Sequence, residues 1–340
     1  MYVWREDIMS ALDVKPNAYM ALQLDRACRS GSRAAEGFCH RIFYPWTGTR
    51  TFDYPGSRST SLRLWLDNQE LISATSITSD GVSIPAGTGY LLRPDIGPPF
   101  DQVEINRDGS YSFAGGPQRA ISITGLWGYS NTETAVTTLA GAIGTTSATS
   151  IDVTAPVGGV GAVLRIGQER LQVYEKNWIT SPATTSTLAS SAAATTISTT
   201  DAGLFTPGER ILIDGERMEV QDIAGNTMVV RRAVDGSSLA AHTAGTAIFW
   251  QHRLLVERGA LGTTAATALN GATVWRWECP SPVRALAQAY AEDEFLQQNA
   301  GYARTSGSGE YERPVSGAGI KACQDRISPD YRRKVRTRAV

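Results

Sequence analysis

The sequence predicts an α+β fold: a helical domain with a small antiparallel sheet, two nested all-β insertion modules, and an extended C-terminal arm. Three observations carry that reading. Apolar and small residues recur at spacings of three and four from Ala21 to Ile42, which places them on one helix face. After Tyr44 the pattern changes to short period-two runs separated by turn residues. From Asn131 to Ala272 the chain is dominated by Thr, Ala, Ser and Gly, and there it repeats itself.

Composition sets the outer bounds. A chain of 340 residues, 42% of them hydrophobic, has room for two or three domains. A formal net charge of −1 argues against nucleic-acid binding through overall charge. No run of about twenty apolar residues is present, so no membrane span is expected. Met1 to Asp13 carries charges where a signal peptide would have its apolar core. The four cysteines (Cys28, Cys39, Cys279, Cys323) show no C-x-x-C spacing and read as reduced thiols of a cytosolic product. His40, His242 and His252 are scattered, so neither a metal site nor a cofactor is expected.

In chain order, Met1 to Val14 reads as a short arm that includes about two helical turns, Glu6 to Leu12. Lys15-Pro16-Asn17 interrupts it. Asn17 is the expected N-cap of a helix running to Tyr44, where Pro45 stops it. Its seam is Ala21, Leu24, Cys28, Gly31, Ala35, Phe38 and Ile42, and Gly31 with Ala35 requires a close neighbour. Asp25, Arg26, Arg29, Arg33 and Glu36 form the solvated or partner-facing side.

Strands are expected at Thr49 to Tyr54, Leu62 to Leu66, Ile72 to Ile77, Val82 to Ile84, Tyr90 to Arg93, Val103 to Asn106 and Ala120 to Tyr129. Leu62, Leu64 and Leu66 alternate with Arg63 and Trp65, as a sheet with one buried face requires. Trp46, Trp65 and Trp127 read as packing residues of this domain.

The repeat has an unusual form. Leu164 to Val173 aligns with Ile211 to Val220 at an offset of 47 residues, whereas Val230 to Phe249 aligns with Val256 to Trp275 at an offset of 26. In the second match Arg232, Gly236, Ala240 and Gly245 fall on Arg258, Gly262, Ala266 and Gly271, and Ser237-Ser238 falls on Thr263-Thr264. Tandem copies would keep one offset. Unequal offsets mean that one copy is whole and the other is split around it, so one module sits in a loop of its twin. Val173 should then lie beside Val256, and Val220 beside Val230. Trp250, Trp275 and Trp277, at the ends of the modules' last strands, are expected to be core residues.

Beyond the insertion, Ser281-Pro282 starts a helix that carries Val283, Leu286, Ala287, Tyr290 and Phe295 and ends near Asn299. This helix is the expected partner of the Ala21 to Ile42 seam. The expected organisation is 1–135, N-terminal part of the helical domain; 136–180 and 253–279, the two halves of the outer β-module; 181–252, the inner module; 280–299, the closing helix; and 300–340, the arm.

No catalytic constellation can be assembled, so the chain is expected not to be an enzyme. Glu36 and His40 have helical spacing, but no nucleophile or third group accompanies them, so they read as a hydrogen-bonded pair. Gly158-Gly159-Val160-Gly161 lacks the strand-to-helix context and the lysine of a phosphate loop and reads as a turn. The recurrence at Gly215 to Arg217 reads as a hairpin with a cross-strand charge pair. The arm is Gly/Ser-rich as far as Gly319 and then basic. Seven basic residues (Lys321, Arg326, Arg332, Arg333, Lys334, Arg336, Arg338) stand against Asp325 and Asp330. It is expected to be disordered alone, with Ile320, Ile327 and Tyr331 as apolar anchors for a partner, on a short helix before Pro329. Its basic end would contact DNA phosphates or an acidic protein surface, against the alternative of a solvated end.

The order Ala35-Glu36-Gly37-Phe38, His40 to Pro45 and Thr49-Arg50-Thr51-Phe52-Asp53 resembles head-to-tail adaptor proteins of long-tailed bacteriophages. So do Leu64-Trp65-Leu66-Asp67, Leu71-Ile72-Ser73, Gly97-Pro98-Pro99 and Ile121 to Tyr129. The likeness covers Met1 to Ser130, the helix Pro282 to Asn299 and the basic Arg332 to Val340 end. It implies a helical adaptor domain in a homo-oligomeric ring, usually of twelve subunits, docked under the portal protein at the capsid vertex. The ring would extend the DNA channel and present a surface for the next neck protein (a stopper) or the tail, within the virion and away from any membrane. In such families the C-terminal arm reaches toward the portal. Here that assigns portal or DNA contact to Ile320, Ile327, Tyr331, Arg332, Arg333, Lys334, Arg336 and Arg338. The inserted modules resemble small β-domains of phage structural proteins. A different class remains open: a carbohydrate-binding or host-adhesion virion protein that acts through its β-modules.

Overall fold

The helical part is built first from a buried N-terminus. The computed structural model describes residues 1–12, 18–54, 62–66, 70–116, 118–299, 305–306, 313–314 and 318–333. Helix α1 (Arg5–Leu12) follows a segment that the sequence marks as an arm, yet Tyr2 and Val3 are fully buried. The Met1 ammonium donates to the Gly161 carbonyl, and burial lowers its pKa to about 6. Arg5 N–H donates to Val160 O, and Val160 N–H donates to the Glu6 carboxylate at 2.8 Å. The glycine loop is thus a turn, and its work is to receive the N-terminus. A Cβ on Gly159 would lie 2.5 Å from Trp4 Cβ. Charged residues conceal this segment in the sequence, but each finds a partner.

Helix α2 (Ala18–Cys39) buries Leu24, Ala27, Cys28, Gly31, Ala35 and Cys39. It ends five residues before the expected Tyr44. His40 turns to φ 53° and Arg41 N–H closes on Glu36 O, a left-handed helix terminus made without glycine. Ile42 therefore leaves the seam. The expected N-cap, Asn17, lies outside the described residues.

Strands β1 (Trp46–Phe52), β2 (Arg63–Trp65), β3 (Leu71–Ser79), β4 (Val82–Ile84), β5 (Tyr90–Arg93), β6 (Gln102–Ile105) and β7 (Ile121–Trp127) fall where the period-two runs place them. They form two antiparallel sheets, β1-β7-β3-β4 and β2-β6-β5. Leu64, Leu66, Ile77, Val103, Ile123 and Trp127 join them in one core.

A ten-stranded antiparallel sheet follows, comprising β8 (Glu133–Thr138), β9 (Ser150–Asp152), β10 (Val163–Ile166), β11 (Glu169–Thr184), β12 (Thr196–Ser198), β13 (Arg210–Ile213), β14 (Glu216–Ala224), β15 (Thr227–Arg231), β16 (Ala247–Glu257) and β17 (Thr273–Trp277). Its order is β12-β15-β14-β13-β16-β11-β10-β17-β8, and β9 pairs with β16. Val173 pairs with Val256 and Val220 with Val230, the contacts a split repeat requires. One core collects Leu139 to Val173 with Leu254 to Val274; a second, from Ala183 to Ile248, lies inside it in chain order. The long strands β11 and β16 run through both, with register shifts between Asn177 and Ile179 and between Thr180 and Thr184. The two units thus share one sheet.

Of the tryptophans at the strand ends, Trp277 is buried and Trp250 packs against the inner module's core, whereas Trp275 departs from expectation. Trp277 is buried in the helical core, where its indole donates to Ser130 O. Trp275 is partly exposed beneath Arg165, and Trp250 is half-buried and stacked on His252 at 3.9 Å.

Helix α3 (Ser281–Asn299) closes the chain back onto α2. A Cβ on Gly31 would lie 2.4 Å from Ala287 O and 2.8 Å from Ala291 N, so the backbones approach too closely for any side chain there. Strands β18 (Thr305–Ser306) and β19 (Arg313–Pro314) pair as a short ladder before α4 (Ala318–Ile327). The fold is mixed α+β, with four helices and mainly antiparallel sheets among the described residues.

Candidate interaction surface

The C-terminal segment docks on the chain that carries it. Helix α4 forms before Pro329, as the sequence predicts, but its apolar residues are not free. Ile327 is buried in the helical core, with Ile320, Cys323 and Tyr331 packed around it. The Tyr331 ring meets Phe43 and Tyr129 at 6.3 and 5.9 Å, and Gln324 donates to the Tyr290 hydroxyl at 2.8 Å. Arg333 N–H donates to Cys39 O, satisfying a carbonyl that α2 leaves open at its end. Ile320, Ile327 and Tyr331, expected to await a partner, are thus packed on the chain's own core, with Ile327 fully buried and the other two partly exposed. Composition weighs the segment in isolation, whereas the apolar surface it needs is supplied by Phe43, Tyr129 and α3.

What remains outward is charge. Arg332 is exposed and its guanidinium lies 5.2 Å from the Phe38 ring centre. Lys334, Arg336 and Arg338 lie outside the described residues. The face of α2 that reads as mixed charge separates in three dimensions. Asp25 turns inward and takes two hydrogen bonds of 2.8 Å from Arg5, which also pairs with Glu175. Glu36, with its side chain 13% exposed, accepts from the Tyr2 hydroxyl at 2.7 Å and from Arg33 at 2.6 Å. Arg26, Arg29 and Arg33 stay exposed, and Arg26 and Arg29 make no ion pair among the described residues. The sequence shows the arginines; it does not show that Asp25 turns away to Arg5 while Glu36 pairs with Arg33.

The repeated hairpins hold the most buried charges. Glu216 lies on β14, but its partner is Arg232 beyond β15, at 2.7 Å through both oxygens, rather than a cross-strand residue. A cleft of about 670 Å³ separates α1 from the shared sheet, lined by Trp4, Lys176, Trp178, Glu209, Arg217 and His252. Lys176 pairs with Glu6 at 2.6 Å and His252 Nε2 lies 2.8 Å from Glu209. The indoles are covered: Arg284 and Arg276 lie 3.9 and 5.1 Å from the Trp4 ring centre, and Arg217 lies 5.9 Å from that of Trp178.

His40 and Glu36 do not meet as a couple, since His40 is beyond the helix and Glu36 is bonded elsewhere. All four cysteines are free thiols. Burial pushes Cys28 and Cys279 up to about 12 and Cys39 to about 11, which leaves these three protonated and unreactive at neutral pH. Among the described residues no three His, Cys, Asp or Glu side chains come together as a metal site, and no helix is long and apolar enough to cross a membrane. No family model, curated protein or solved structure matches the chain.

Proposed function

We propose that this chain is a structural, non-enzymatic head-to-tail adaptor of a phage neck, acting as a homo-oligomeric ring between the portal and the next neck or tail protein. One observation supports the reading above the rest. Residues from two of the separated stretches that resemble adaptors meet: Tyr2, Phe43, Tyr129, Val283 and Phe295 join a single core although Asn131 to Ala272 intervenes, while the strand motifs from Leu64 to Trp127 make a second core. The β-modules are then an elaboration of the helical domain, and the basic end is the part that reaches the portal or the channel DNA. The adhesion alternative needs an open aromatic platform for a sugar, and the arginines over Trp4 and Trp178 leave the cleft without one.

Electron microscopy of the chain co-expressed with a portal tests the proposal. Rings seated on the portal are expected. A monomer that ignores portal-bearing heads and binds glycans would overturn it.

A further inference from the structure

We propose that the outward row Arg26, Arg29 and Arg33 on α2 is a docking surface for the phosphate backbone of duplex DNA. This rests on the adaptor reading and deepens it by naming the part of the folded body that meets the channel's contents. From Arg26 to Arg33 the row rises by seven residue steps, or about 10 Å along the helix axis. Duplex DNA carries one charge per about 1.7 Å of axis, so a row of that length lies against several phosphates at once. Of the neighbouring acids, Asp25 is held by Arg5, and Glu36 is taken by Tyr2 and by Arg33 at one end of the row, so Arg26 and Arg29 keep their charge without an ion pair among the described residues. A protein partner would ask for an apolar centre. From Leu22 to Gly37 the exposed positions are Leu22, Arg26, Arg29, Ser30, Arg33 and Gly37, so the apolar side chain sits at one end and the centre is charged. A net charge of −1 for the whole chain makes such segregation on one helix the more informative.

The test uses the full chain with fluorescein-labelled duplex DNA, followed by anisotropy across a salt series, and portal docking scored separately by microscopy. The variant R26Q/R29Q removes, from exposed positions, the two cations of the row that make no ion pair among the described residues. Each phosphate contact contributes about −0.9 to the slope of log affinity against log salt. The variant is therefore expected to flatten that slope by about 2 and to weaken binding on the order of tenfold to a hundredfold at low salt, with rings on portals still forming. A second variant that ends after Arg333 retains the row and is expected to keep measurable binding. The proposal is overturned if R26Q/R29Q binds DNA as the parent does. It also fails if the loss appears in portal docking while DNA binding is unchanged, which would make the row a contact for an acidic protein surface. Failure of the parent to form rings on portals, with its salt-dependent DNA binding intact, would count against the adaptor reading alone.

Discussion

The inner and outer β-modules use the same buried clamp, and they differ at one place. In the inner module Arg232 grips Glu216 through Nε and Nη2, while Ala233 and Ala240 N–H groups each donate to the carboxylate at 3.0 Å. In the outer module Arg258 grips Glu169 at 2.7 and 2.8 Å, with Gly259 and Ala266 N–H at 2.9 and 3.0 Å. The remaining donors of each arginine go to backbone carbonyls, Ala189, Ala194 and Ala240 in one, Thr145, Ala148 and Ala266 in the other. Ser237 and Thr263 hydroxyls accept from Arg217 and Arg170 N–H at 2.9 Å. Even the left-handed backbone positions recur: Asp214 and Gly167, Ala233 and Gly259, Asp235 and Leu261. The difference is His242, which places Nδ1 2.7 Å from Asp214 and Nε2 3.0 Å from Glu216. The outer module has Ala268 and Gly167 in place of His242 and Asp214. A polar pair replaces two small residues without disturbing the frame, so the clamp, rather than the apolar filling, defines the module.

The largest expected effect follows. Removing one partner of a buried ion pair leaves a charge uncompensated and costs about 3–5 kcal/mol. Arg232→Ala and Arg258→Ala should each reach that range in denaturant unfolding. If each module depends on its own clamp, limited proteolysis should cut Arg232→Ala first within Ala183 to Ile248 and Arg258→Ala first in the flanking halves. Loss of less than about 1 kcal/mol in either would break the comparison.

Next in size is His242→Ala. It removes hydrogen bonds to two carboxylates but leaves Glu216 with Arg232 and two backbone donors. About 1–3 kcal/mol should be lost in thermal or denaturant unfolding. Ala268, already small, marks a site where the outer module holds together without this contribution.

Much of this architecture is legible in the sequence. Helix α3 and strands β4 and β5 lie at the expected residues because caps, proline and turns fix them locally. The unequal offsets reveal the nesting, and the repeated Arg232, Ala240 and Ser237 positions are the clamp's own members. Pairings between distant residues stay hidden. Nothing local assigns Glu216 to Arg232 in place of a cross-strand neighbour, or Asp25 to Arg5, or Ile327 to the core around Phe43. A third repeated arm is visible only in three dimensions. Ala148 to Thr154 corresponds to Ala194 to Thr200, and the bridges Ile143–Ala268 and Leu188–His242 correspond with it. Its Thr and Ser content gives it the look of low complexity.

Acid should sharpen the comparison further. Burial alone would raise the Glu216 pKa, but the Arg232 hydrogen bonds, Ala240 N–H and His242 outweigh it and hold it at about 2. Glu169 is also depressed, with burial opposed by Arg258 and by the N–H groups of Ala266 and Gly259. A carboxylate lowered in the folded state contributes stability above its ordinary value near 4.5, and loses it as pH falls through the folded value. The inner module should therefore weaken between about pH 4.5 and 2, followed by circular dichroism or amide exchange. In His242→Ala, where Glu216 is depressed less, the loss should be smaller and should be complete at a higher pH. An unchanged acid profile would mean that His242 contributes nothing to the charge of Glu216.

The smallest effect is expected from an ion pair with comparable geometry in a wetter place. Arg253 meets Asp152 with two hydrogen bonds of 2.7 Å, distances that match those of the Arg232 clamp. Its side chains are 44% and 33% exposed, however, against 3% and 0% for Arg232 and Glu216. Water already solvates both charges there, and salt screens them, so such a pair contributes about 0–1 kcal/mol. Asp152→Ala should accordingly lower stability by less than about 1 kcal/mol in denaturant unfolding, and that small loss should shrink further at high salt. The variant isolates burial as the cause, because bond length and bidentate form are held nearly constant. Were Asp152→Ala to cost as much as Arg232→Ala, geometry alone would set the strength of these pairs, and the argument from burial that separates clamp from surface pair would fall.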